Sequence, residues 1–169
     1  MHAGCEIHSD PFSQLFRFPI PHSPFPASMP RADFYLIKSA RFRDDPLRLV
    51  CELARKAHDS DQPTLILARD AAQAEEIDDA LWAFDEDAFI PHQIAGRDQD
   101  DDETPVLIAS PEIDAAARVL IINLRDAAVS LPCERVLEVV PADESARDPQ
   151  RQRWIEYRTR GFELNKHEM

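Results

Sequence analysis

Residues 61–84 read DQPTLILARDAAQAEEIDDALWAF, and this stretch decides the fold. Asp61-Gln62-Pro63 ends the element before it, because a proline cannot continue a helix. Thr64-Leu65-Ile66-Leu67-Ala68 is an uninterrupted apolar run, short enough for a strand and suited to one covered on both faces. Asp70 then stands as the N-cap of a helix reaching Phe84, along which Ile77, Leu81 and Phe84 return at helical intervals.

The same order occurs upstream. Residues 33–38, DFYLIK, form a β-rich run that reads as a first strand. After a basic loop, Asp45-Pro46 opens a helix, with Asp as N-cap and Pro in the first turn. Leu47, Val50, Cys51 and Ala54 fall at i, i+3, i+4 and i+7, a core stripe on which Cys51 is a packing residue and Ala54 lets the sheet come close. Downstream, residues 106–109, 119–124 and 137–140 supply three more strands, with 111–118 as a connection. Strand–helix–strand–helix order implies a parallel sheet with helices on its faces. The expected fold is therefore a three-layer α/β domain with a mostly parallel, incompletely doubly wound sheet, Rossmann-like but without a phosphate loop.

That last point comes from glycine. The chain of 169 residues holds three, Gly4, Gly96 and Gly161, and no two are close. Loops that cradle phosphate need clustered glycines so that backbone amides can approach the ligand, and neither GxGxxG nor GxxxxGK[ST] can be written here. No nucleotide or other cofactor is expected. The formal charge of −13 excludes a general affinity for nucleic acid or an anionic membrane. Cys5, Cys51 and Cys133 are too few and too widely spaced for a disulfide framework or a zinc site, which suits a reducing cytoplasm. No apolar run approaches membrane-spanning length.

Residues 97–103, RDQDDDE, are acidic, but no register supplies the glycine and terminal glutamate of an EF-hand loop, so a solvated charge run is expected rather than a metal site. No GxSxG occurs, and His58, His92 and His167 are isolated from any Ser or Cys in a nucleophile setting. His92, in Phe89-Ile90-Pro91-His92, reads as a hydrogen-bonded turn residue rather than an acid–base catalyst. Residues 1–28 carry Pro11, Pro19, Pro21, Pro24 and Pro26 and lack the features of a secretory signal. They read as a disordered extension or as upstream of the true start at Met29, which leaves 29–169 as one domain.

Two segments stand out as surfaces. In residues 78–96, DDALWAFDEDAFIPHQIAG, Trp82 and Phe89 lie among acids and loop residues. They are either a docking patch or rings that cap the core. In residues 147–160, RDPQRQRWIEYRTR, five arginines face two acids. Pro149 sets the helix start near Ser145 or Asp148, and Gly161 takes the position that ends it. Arg147, Arg151, Trp154 and Arg158 fall at i, i+4, i+7 and i+11, in line along one face if Arg147 is already helical. Ile155 and Tyr157 are expected to dock the helix on the sheet. The arginines and the indole either grip an acidic, partly apolar peptide or a single strand of nucleic acid, or the arginines pair with the chain's own acids.

ALWAF followed by AFIPHQIAG, with DFYLIK upstream and EYRTRGFELN at the end, resembles the chi subunit of bacterial DNA polymerase III holoenzyme over residues 29–166. The resemblance implies a non-catalytic accessory subunit of the clamp-loader complex in DNA replication, in a DNA-directed DNA polymerase assembly. It puts Trp82, Phe89, Ile90 and Pro91 on the surface that holds the psi subunit, for which a helicase is a further candidate occupant. It puts Arg151 and Trp154, with Arg147, Val140 and Arg158 near them, in a pocket for the acidic C-terminal tail of single-stranded-DNA-binding protein. Ile155 stands where many relatives carry a second basic residue, which bears on affinity at that pocket. Other readings to weigh are a nucleotide-handling α/β enzyme and a protein that binds single-stranded DNA directly.

Overall fold

A computed structural model describes residues 29–85, 89–97 and 101–169. In chain order its elements are β1 (Arg31–Leu36), α1 (Ala40–Asp44), α2 (Pro46–Asp59), β2 (Thr64–Leu67), α3 (Ala71–Ala83), β3 (His92–Ile94), β4 (Val106–Ala109), β5 (Leu120–Asn123), β6 (Arg135–Val140), α4 (Asp148–Thr159) and β7 (Glu163–Glu168). The seven strands form one sheet in the order β3-β4-β2-β5-β6-β1-β7. Every pairing among them is parallel.

The helix starts follow their caps. Asp45 accepts from the amide of Arg48 ahead of Pro46, and Asp70 accepts from Gln73 N–H at 2.8 Å. Gln73 Oε1 in turn accepts from the N–H of Arg69, one residue before the cap, which ties the first turn of α3 back to the incoming chain. The end of α4 is a Schellman turn: Gly161 N–H reaches Arg158 O, Phe162 N–H reaches Tyr157 O, and Gly161 takes φ +82°.

The core lies in two sheets of contact. On one face α1, α2 and α3 pack Val50, Ala54, Ile77 and Leu81 against Ile66, Ile108 and Ile122. On the other, α4 and the connections after β4 and β5 cover Phe34, Leu65, Leu107, Ile121 and Val136. β2, β4 and β5 are buried at every position, so their side chains meet apolar partners above and below. Each fully buried Leu or Ile contributes on the order of 1.5–3 kcal/mol.

Three features depart from the sequence expectation. The basic loop after β1 contains a short helix, α1. Two edge strands, β3 and β7, were not expected, the first beginning at the presumed turn residue His92. Ile155 does not dock α4: it is 58% exposed, whereas Tyr157 is fully buried. The inward positions of α4 are Arg153 and Tyr157, four residues apart, and Ile155 between them is turned through about 200° to solvent.

At the far edge, β6, β1 and β7 are tied by a polar cluster. Buried Asp33 accepts from Arg135 Nε at 2.6 Å and Arg31 Nε at 3.1 Å, and its other oxygen lies 3.0 Å from His167 Nε2. The His167 ring stacks on Tyr35 at 4.7 Å. Burial opposes ionisation of Asp33, but hydrogen bonds from His167 and Arg135 and the charges of Arg135 and Arg31 outweigh it and hold the carboxyl below its usual range. A carboxyl depressed in the folded state adds stability above its unfolded pKa, about 3.9, and loses it as the pH falls through the folded value. The unfolding free energy is therefore expected to fall below about pH 4 more steeply for the parent than for Asp33→Asn. Denaturant titrations at a series of acidic pH values check this; parallel acid limbs would refute it.

Candidate functional site

The helix α3 packs over β3 and β4 at one end of the sheet, and its last turn carries Trp82 outward. Trp82 is 60% exposed and Phe89 is 63% exposed, with ring centroids 5.4 Å apart. His92 supports the indole from beneath, 5.1 Å away, and its nitrogens lie 2.6 Å from Ile90 O and 3.3 Å from Asp78 O. Thus His92 is engaged with the backbone, in keeping with a structural role. Ile90 is buried and belongs to the core under the patch rather than to its surface, while Pro91 is half-buried beside it. Residues 86–88 lie outside the described residues.

The second surface is at the opposite end of the sheet and on the other face. A cleft of about 350 Å³ opens between α4 and the strands β6, β1 and β7. Its apolar wall is Phe34, Leu36, Val140 and Trp154, and its cationic rim is Arg147, Arg151 and Lys166. The Trp154 ring is half-buried, tilted against Phe34 at 4.8 Å, and still lines the opening. Arg151 is exposed and pairs at 2.6 Å with Asp148, itself 79% exposed. An exposed local pair of this kind contributes ~0–1 kcal/mol and yields readily to a better carboxylate.

The sequence-predicted members therefore separate. The structure brings Arg147, Val140, Arg151 and Trp154 together around one cleft, and Arg158 lies outside its lining. Arg147 precedes the helix at its N-cap and is partly committed, donating to Pro141 O at 2.9 Å and Ala142 O at 2.7 Å. Phe34, Leu36, Gln150 and Lys166 were missed. Lys166 belongs to the unexpected strand β7, and no signal in the sequence pairs it with α4. Ile155, turned outward, joins the rim where it was expected to be packed.

Behind the cleft a buried polar network holds α4 to the sheet. Glu138 on β6 is fully buried, and its Oε2 accepts from Arg153 Nε at 2.9 Å and Nη2 at 2.7 Å. Its Oε1 accepts from Tyr157 Oη at 2.8 Å and Asn123 Nδ2 at 2.9 Å. Arg153 also donates to Asp126 O, and Tyr157 accepts from Val129 N–H. Burial raises the Glu138 carboxyl against the pull of the Arg153 guanidinium. Burial, with Glu138 alongside, pushes the Tyr157 phenol far up, so it remains a neutral donor.

Cys51 and Cys133 are free thiols pushed up by burial to about 12 and about 11, which leaves them little thiolate. Among the described residues there is no group of three or more His, Cys, Asp or Glu placed to hold a metal, and no helix long and apolar enough to cross a membrane. Asp101, from the acidic loop, accepts instead from Gln93 Nε2 and Gly96 N–H; residues 98–100 lie outside the described residues.

This architecture defines a class, a fully parallel α/β domain that has no glycine-rich nucleotide loop. Among solved structures, T4 UvsW matches its fold with a TM-score of 0.56 at 9% identity, over 83% of this chain and 41% of that longer chain. The family sequence model described as DNA polymerase III chi subunit, HolC, matches residues 29–165. DNA polymerase III subunit chi of Pseudomonas aeruginosa is 36% identical over 146 residues, 83% of this chain and 98% of that protein. DNA polymerase III subunit chi of Escherichia coli is 34% identical over 143 residues, 81% of this chain and 97% of that protein. The chain belongs to the DNA polymerase III chi subunit family.

Proposed function

We propose that this chain is a non-catalytic accessory subunit that bridges the psi subunit, and so the clamp loader, to the acidic C-terminal tail of single-stranded-DNA-binding protein in the cytoplasm. The observation that carries the reading is the cleft beside Trp154. An apolar wall with a rim of Arg147, Arg151 and Lys166 complements a peptide that ends in a hydrophobic side chain and a carboxylate. In a chain of net charge −13, such a local cationic rim selects a small acidic ligand far better than a long polyanion. Trp82 and Phe89, at the other end of the sheet, form the apolar face for psi, with a helicase as an alternative occupant. The two surfaces lie at opposite ends of the sheet, as a bridging subunit requires.

Arg151→Ala tests the tail site. Its affinity for an Asp-rich peptide ending in Phe is expected to fall about fivefold to tenfold at low ionic strength. The difference should shrink as salt is raised, because the rim is open to solvent. Fluorescence polarisation with a labelled peptide measures both quantities, and equal affinities for parent and variant would overturn the reading.

A further inference from the structure

A second cleft, of about 380 Å³, lies at the carboxyl ends of β1, β2, β5 and β6. It sits where α2 leaves the sheet for one face and α4 for the other, the crevice in which open parallel sheets seat their ligands. Gln150 lines both this cleft and the one beside Trp154, so the two adjoin across the N-terminal end of α4. The lining is cationic: Arg43, Arg69, Arg125 and Arg153 against one carboxylate, Asp126.

These four arginines are not equally available. Arg153 is taken up by Glu138 and Asp126 O, and Arg125 gives Nε to Ala68 O and Nη2 to Ala109 O. Arg69 pairs at 3.5 Å with Asp70, itself half-exposed, and has no other carboxylate partner among the described residues. Arg43 has no carboxylate partner among the described residues, and it is exposed. In so acidic a protein, two guanidinium groups left open at the mouth of a crevice are a local field of the wrong sign for the chain and the right one for a carboxylate-rich ligand.

We infer that an acidic peptide seated beside Trp154 continues across the end of α4, and that its upstream aspartates lie in this second cleft against Arg43 and Arg69. The inference rests on the reading of the Trp154 cleft as a peptide site. A helix end is roughly 10–12 Å across, which about three or four extended residues span. The second cleft is thus within reach of a peptide only modestly longer than the first cleft holds.

Peptide length is the test. Two labelled peptides are titrated into the full chain: a short Asp-rich one ending in Phe, and the same peptide extended at its N-terminus by about five aspartates. The long peptide is expected to bind about tenfold tighter at low salt. Arg43→Glu/Arg69→Glu should remove that gain and leave the short peptide within about twofold of its parent affinity. Lys56→Glu/Arg97→Glu carries the same change of net charge at residues outside both clefts, and should preserve the gain. If the short peptide binds and added length brings nothing, or if both double variants weaken the two peptides alike, the second cleft is no part of the site. If the short peptide does not bind at all, the reading of the Trp154 cleft itself fails.

Discussion

Arg153→Ala is expected to lower the stability of the folded chain by about 3–5 kcal/mol, the cost of stranding a buried charge. The side chain is 3% exposed and its partner Glu138 is fully buried, so neither has water to fall back on. Removing the guanidinium leaves Glu138 with only the donors on Tyr157 and Asn123. Protonation of the carboxyl would relieve part of the loss, as burial already drives it that way. Glu138→Gln combined with Arg153→Met removes both charges while keeping an acceptor for Tyr157, and should recover much of the loss. Urea unfolding of the three proteins decides the matter. A loss below about 1 kcal/mol for Arg153→Ala would mean that the pair is loosely solvated. Because α4 carries Arg151 and Trp154, the single variant should weaken peptide binding as well.

Trp82→Ala is expected to have the largest effect on association. An exposed indole in contact with a second exposed ring is the residue type whose truncation costs 2 kcal/mol or more, roughly thirtyfold, when it anchors an interface. Stability should change by less than about 1 kcal/mol, since the indole touches only Phe89 and His92 among the ring contacts on that face. Calorimetric titration with the psi subunit reads the loss, and the peptide titration at the far cleft serves as the control. Undiminished affinity for psi would remove Trp82 from the interface; loss at both surfaces would point to a disturbed fold.

Much of this was legible in the sequence, for reasons that are local. β2, β4 and β5 are apolar at nearly every position, and α2 and α3 open on Asp caps, so burial and capping both leave a direct trace. β7 leaves none. ELNKHE is a polar segment whose one strand partner among the described residues is β1, and only that pairing makes it a strand. Lys166 was invisible for the same reason. Within α4 the failure was one of type: Arg153 faces inward and Ile155 outward, the reverse of what hydrophobicity dictates, because Glu138 on the strand below supplies a partner that no reading of the helix by itself can see. The cleft members Arg151 and Trp154 were reached through spacing and resemblance and Val140 through resemblance, whereas Phe34, Leu36 and Lys166 from β1 and β7 were not.

Among the described residues β7 is the last strand of the sheet, and its outer rim is a template onto which a foreign strand could add. Glu163, Lys166 and Glu168 stud that rim with ionised side chains, and Lys166 and Glu168 sit close enough to pair. A neighbouring molecule seeking to extend the sheet would have to strip these groups of water. Neutralising all three by substitution should therefore leave the monomer's fold alone and turn it toward slow self-assembly, visible as light scattering during storage.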